Sequence, residues 1–357
     1  MRRLLIVVLA CLPLMFPGHA LASKKSAARK ASVAKSYTYQ NRHDAMAFAD
    51  DVALQQGLDR DWVRQTIGEA RFMPAIQQQM QPAGHGFIKN WNAYRSRFIE
   101  PHRIETGIEF WRNNADALTR AEKEYGVPPE VIVGIIGVET IYGRHMGSYR
   151  VIDALATLAF DFPKTAERDR SQFFQGELAQ FLALQKQAGL DPASVKGSYA
   201  GAIGMGQFMP SSWVKYAVDF DGDGAIDLRN SPADAIGSIA NFLKSSNWHP
   251  NMPAYYPVSF DEARLNTTTL LAPDIKPTFD VKAMNENGVL LDEKAAQHQG
   301  PLALVELLNG DPKADGGPPT YVAGTENFYA ISRYNRSSYY TLAVIELGET
   351  IKAEVVK

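Results

Sequence analysis

The sequence predicts a mainly α protein with a small β-containing element, an α+β chain in two or three subdomains. Three observations predict it. Apolar residues recur at helical spacing over residues 50–58, 61–70 and 107–121. An apolar stretch over 127–143 opens on Pro128-Pro129 and closes on Gly143, signals for a helix start and stop. Residues 252–320 instead carry Pro253, Pro257, Pro273 and Pro277 among short alternating runs such as 277–281, a pattern of strands and irregular backbone.

In chain order, residues 1–22 read as an export signal. Arg2 and Arg3 precede an apolar stretch over 4–16, and Ala20-Leu21-Ala22 suits cleavage before Ser23. That stretch is too short to span a bilayer, and no later segment is apolar for long enough. A soluble periplasmic protein is expected. Cys11 is the single cysteine, so cleavage leaves no disulfide, and about 335 residues bury enough core without one. In an alternative reading, Val8-Leu9-Ala10-Cys11 is a lipoprotein box, with Cys11 lipidated and the protein anchored to the outer membrane.

Residues 23–40 form a polar, basic leader expected to be disordered. Losing Arg2 and Arg3 takes the net charge from −2 to −4, a balance that does not suit phosphate-backbone binding, so no nucleic acid is expected as a partner. A helical domain follows over 41–121, with a polar break at 77–86. Residues 122–250 hold most of the unusual motifs, and the β-containing element spans 251–320. Residues 321–357 are aromatic and then helical. No internal repeat is present.

Glu139 is the first chemical candidate. Val131, Ile132, Val133, Ile135, Ile136, Val138 and Ile141 surround the helix, so it is a buried one. A carboxyl near its C-terminal end loses hydration and faces the negative end of the helix dipole, and both raise its pKa. A Glu protonated near neutral pH is a general acid. The alternative is a buried Glu paired structurally with an arginine.

The second candidate is the segment Lys196-Gly197-Ser198-Tyr199-Ala200-Gly201-Ala202-Ile203-Gly204-Met205-Gly206-Gln207. Its glycines bar a stable isolated helix but let backbone approach backbone or ligand closely. It matches neither a phosphate loop nor a dinucleotide fingerprint. Ser198, Tyr199 and Gln207 are neutral hydrogen-bonding groups that suit a sugar or amide, whereas the plain alternative is a tight turn packed on a core helix.

Glu139-Thr140 in its apolar helix, the glycine-rich run into Phe208-Met209-Pro210-Ser211-Ser212, and Arg333-Tyr334-Asn335 together resemble lytic murein transglycosylases of the B type. The resemblance extends to Met146-Gly147 and residues 153–158. It implies a lysozyme-like core over 122–250 and cleavage between N-acetylmuramic acid and N-acetylglucosamine in peptidoglycan, leaving a 1,6-anhydro end. It also implies Glu139 as the single acid/base, with Ser198 and Gln207 on substrate positions and Tyr199 beside them. Most glycosidases need two carboxylates. No second one accompanies Glu139 in the last turns of its helix or in the glycine-rich segment. An intramolecular attack by the muramic 6-hydroxyl needs none.

Asp219-Phe220-Asp221-Gly222-Asp223-Gly224-Ala225-Ile226-Asp227 follows the first nine positions of an EF-hand loop. Asp219, Asp221, Asp223, the Ala225 carbonyl and Asp227 are candidate calcium ligands. Asn230 stands where a bidentate Glu belongs, so Asp234 is the expected closing ligand of a site over 219–234. A structural Ca²⁺ is expected, with no organic cofactor; the alternative is an Asp/Gly surface turn.

Rings crowd the C-terminal stretch, where aromatic runs are more often core than binding surface. The resemblance places substrate-cleft tyrosines there and near Phe242, so Tyr329, Tyr334, Asn335 and Phe242 are candidate substrate contacts. Trp213 and Trp248 read as core. A monomer is expected. A hydrolytic muramidase and a non-catalytic glycan-binding scaffold are the competing functions. Partnership with cell-wall synthases and the exo or endo mode are left open by the sequence.

Overall fold

The computed structural model describes residues 37–81, 88–166, 168–311 and 316–357. The export signal, Cys11 and the leader through residue 36 lie outside the described residues. The leader's last residues are not disordered. Tyr39 is fully buried, Thr38 bridges to Arg71, and the Tyr37 and Tyr39 hydroxyls each donate to Asp161 at 2.8 Å.

Helices α1 (His43–Gln56) and α2 (Arg60–Gly68) turn at Gly57, and the Asp59 side chain caps α2 by accepting from Trp62 N–H. Short α3 (Pro74–Gln79) and α4 (Trp91–Arg95) lead to α5 (Pro101–Asn113). There Pro101 takes the first turn and the Glu100 carboxylate accepts two backbone N–H groups. Helix α6 (Ala115–Tyr125) ends at Gly126, and α7 (Pro129–Thr140) is the apolar helix.

Strand β1 (Tyr149–Arg150) pairs with β2 (Lys196–Gly197), bracketing α8 (Val151–Phe160) and α9 (Ser171–Ala188). Helices α10 (Pro210–Tyr216) and α11 (Pro232–Ser245) flank the aspartate loop.

The β-containing element is an antiparallel sheet of order β4-β3-β6-β5: β3 (Tyr255–Phe260), β4 (Val289–Leu291), β5 (Ala303–Asn309) and β6 (Gly317–Gly324). Tyr256 faces Ala323 and Val305 faces Val322 across the ladders. Helices α12 (Thr267–Leu271) and α13 (Val281–Glu286) cover one face through Leu270 and Met284. The sheet runs four residues past the expected boundary at 320. Residues 277–281 give one isolated bridge, Phe279 to Leu302, before α13 begins. Helices α14 (Glu326–Ser332) and α15 (Ser338–Val355) complete the chain's elements.

The cores do not follow the sequence boundary at 121/122. Of three cores among the described residues, one joins α5, α6, α7 and α11 to β5, α14 and α15, a second joins α1, α2 and α3 to α8 and α9, and a third lies between the sheet and α12 and α13. Helix α5, expected in the N-terminal domain, therefore packs on α7 and α15.

Candidate active site

Glu139 sits in the last turn of α7, which is locked against α15. A Cβ at Gly134 would collide with the Val344 carbonyl, and one at Gly348 with the Glu130 carbonyl. The missing side chains let the two backbones close together, which brings Tyr340 onto Glu139. The Tyr340 hydroxyl donates to Glu139 Oε1 at 2.7 Å.

Helix α7 stops at Thr140, three residues before the glycine that signals a stop. Ile141 and Tyr142 both adopt left-handed backbone, with φ of 50° and 56°. For a β-branched or aromatic residue this conformation costs on the order of 1–3 kcal/mol. Surrounding bonds hold it. Arg103 donates to the Gly137 carbonyl at 2.8 Å, and the Thr140 hydroxyl donates to the Met205 carbonyl at 2.8 Å while accepting from Gly143 N–H at 3.0 Å. The turn that presents Glu139 is thus pinned to the glycine-rich segment.

Burial lifts the Glu139 pKa from its ordinary 4.5 to about 7, and the Tyr340 hydrogen bond pulls the other way. No neighbouring charge contributes. The side chain keeps some accessible surface, so the carboxyl can meet a ligand. Its partner is a tyrosine, so the arginine-paired alternative does not describe this residue.

The other expected residues divide. Tyr334 lies beside the carboxyl's partner: its ring is parallel to that of Tyr340 at 6.5 Å between centroids. The Tyr334 hydroxyl donates to the Gly206 carbonyl, tying α15's approach to the glycine-rich segment. Phe242 is buried edge-on against Tyr334 and Tyr216, each 4.9 Å between centroids, and so acts as the wall behind Tyr334. Asn335 is 4% exposed, and its Oδ1 has no hydrogen-bond partner among the described residues. A buried amide oxygen without a partner is uncommon and needs a water or ligand atom to complete it.

Gln207 has left-handed backbone (φ 52°), and its amide donates to the Gly204 and Met146 carbonyls at 2.9 and 3.3 Å. Ser198 closes a tight turn with Ala202, its Oγ accepting from Ala202 N–H at 3.0 Å. Tyr199 packs against the other core, with α8 and α9. Tyr329 is partly buried with Arg333 over its ring. Trp248 is core and donates to the Gly126 carbonyl, while Trp213 is only partly buried. Tyr340 is the residue that sequence reasoning missed.

The aspartate loop brings together three of the five candidate carboxylates. Carboxylate oxygens of Asp219, Asp221 and Asp223 lie within 4.8 Å of one another. Asp227 and Asp234 fall outside this group. The Asp227 carboxylate accepts from Arg229 and Asn230 N–H, capping a turn. Asp234 is 1% exposed and accepts from Phe220, Asp221 and Asp227 N–H, so it fastens the loop to α11. Ala225 donates its N–H to Asp223 Oδ1 at 2.8 Å. The three converging carboxylates still fit a hard, oxygen-seeking cation.

A buried carboxyl held by a tyrosine, with no neighbouring charge acting on it, beside a glycine-rich segment and an aromatic row, suits an enzyme that gives and takes a proton on a neutral ligand. The family model described as "Transglycosylase SLT domain" matches residues 40–349, and the chain belongs to that family. It is 38% identical over 326 residues to membrane-bound lytic murein transglycosylase B of Escherichia coli K12, covering 88% of this chain and 84% of that protein. The E. coli lytic transglycosylase SLT35 in complex with bulgecin A superposes with a TM-score of 0.79 at 37% identity, covering 90% and 96% of the two chains. The same enzyme has been solved in complex with calcium. SltB3 from Pseudomonas aeruginosa, in complex with NAG-anhNAM-pentapeptide, matches with a TM-score of 0.71 at 29% identity over 88% and 80% of the chains. The helix-rich fold with small antiparallel sheets is that of these structures.

Proposed function

We propose that the protein is a peptidoglycan lytic transglycosylase in which Glu139 serves first as acid and then as base. The observation that carries this reading is the lone carboxyl with a pKa near 7 and no charged neighbour. At neutral pH a substantial fraction is protonated and can give its proton to the glycosidic oxygen as the bond to C1 breaks. The resulting carboxylate takes the proton of the muramic 6-hydroxyl as that oxygen bonds to C1 of its own ring. One carboxyl is then enough, and the product is the 1,6-anhydro sugar. Tyr340 holds the carboxyl in place through both proton transfers. Asn335 Oδ1 suits an acetamido N–H, and Ser198, Gln207 and Tyr334 line the approach.

Asp219, Asp221 and Asp223 would hold a structural Ca²⁺, which supplies charge neutralisation to the loop and takes no part in the chemistry. The substrate implies a periplasmic location, and no helix among the described residues is long and apolar enough to cross a membrane.

Digesting purified sacculi with wild type and Glu139→Gln, then weighing the products, tests the reading. Anhydro-muropeptides from wild type alone support it. Reducing ends would move the enzyme to the muramidases, and no cleavage by folded wild type would leave a binding scaffold.

A further inference from the structure

A cavity of about 400 Å³ opens between α2 and the C-terminal end of α9, lined by none of the residues placed around Glu139. Its size falls within the range of about 300–1,000 Å³ typical of small-ligand sites. Trp62 and Gln65 from α2 form one wall. Gln185 and Lys186 form the other, where α9 ends at Gly189. Gln185 is only 7% exposed, and its Oε1 has no hydrogen-bond partner among the described residues. A helix surface facing solvent has no need of such a group, whereas a ligand site does.

The lining chemistry narrows the ligand. Glu69 and Asp191 bring two carboxylates and Lys186 one ammonium, whose Nζ lies 5.0 Å from the Trp62 ring centroid. An anion would meet the carboxylates and a cation would meet Lys186. A neutral ligand rich in hydroxyls and amides meets neither conflict: hydroxyls donate to the remaining lone pairs of Glu69, which already accepts from Gln65, and of Asp191, which already accepts from Ala193 N–H, while a carbonyl or hydroxyl accepts from Lys186 and an amide N–H donates to Gln185 Oε1. The aromatic ring then covers the apolar face of a sugar.

We infer that this cavity is a second, non-catalytic glycan site that takes an N-acetylated amino-sugar unit of the strand. The inference rests on peptidoglycan being the substrate. Because the ligand is a polymer, a second foothold makes engagement of the catalytic cleft effectively intramolecular. It serves insoluble wall and does nothing for a short fragment.

The test uses Trp62→Ala and Glu69→Ala, the latter at an exposed position that does not endanger folding. In a Glu139→Gln background, titration with N,N′-diacetylchitobiose should shift the Trp62 indole N–H resonance. Each variant should weaken sacculus binding about three- to tenfold, the loss expected for an aromatic platform or a charged hydrogen-bond acceptor. With Glu139 intact, each variant should release anhydro product from a soluble tetrasaccharide at the parent rate. An unmoved Trp62 resonance, or parental sacculus binding by both folded variants, overturns the inference. Absence of anhydro product from wild type would instead sink the catalytic reading, and that result is read separately.

Discussion

Replacing Glu139 by glutamine should stabilise the protein, and by an amount that depends on pH. Folding lifts this carboxyl from 4.5 to about 7. The folded state therefore binds the proton more tightly than the unfolded chain. The stabilisation from this group is fully present below pH 4.5 and is lost as pH rises through 7. The full gap corresponds to about 3 kcal/mol. Glutamine copies the shape of the protonated acid, can still accept from the Tyr340 hydroxyl, and never ionises. Urea denaturation of both proteins from pH 4.5 to 8.5 should give a difference that starts near zero and grows to about 3 kcal/mol in the variant's favour. A flat difference across that range would refute the raised pKa and the acid role built on it. Inactivity and added stability should thus come from one substitution, as expected for a strained functional site.

Tyr340→Phe removes the donor that favours the carboxylate, so the alkaline limb of the pH–rate profile should move up by about one pH unit, with a lower maximal rate. A limb that stays put would show that Tyr340 does not act on Glu139. Gly134→Ala places a methyl against the Val344 carbonyl and should cost about 1–3 kcal/mol in denaturation, with kcat falling as α15 is pushed away. Calcium at ten times its Kd should stabilise wild type by about 1.4 kcal/mol, and Asp221→Asn should erase most of that gain in a thermal melt. An equal shift in the variant would move the ion elsewhere.

The Glu139 helix was legible because its apolar residues leave no polar side, and burial of one carboxyl in it follows directly. Its end was not. Glycine is the usual left-handed residue, yet Ile141 and Tyr142 take that conformation under bonds from Arg103 and Thr140 that no local pattern announces. Tyr340 was hidden for a related reason. It is buried as an aromatic run predicts, but its hydroxyl finds a carboxyl 201 positions away. The aspartate spacing puts Asp219, Asp221 and Asp223 on one turn, where their carboxylates converge. The buried seat of Asp234 depends on which loop N–H groups reach it first, and that is a three-dimensional fact. Local patterning groups α5 with the N-terminal helices, whereas its apolar partners lie on α7 and α15, far along the chain for α15.

The bond between Tyr340 and Glu139 also sets a timetable. Synthesis from the N-terminus completes α7 well before α15. Contacts so distant in sequence form late. Until α15 docks, the glutamate lacks both its hydrogen-bond partner and the packing that raises its pKa. An enzyme built this way has its acid in working order only once its last long helix has docked.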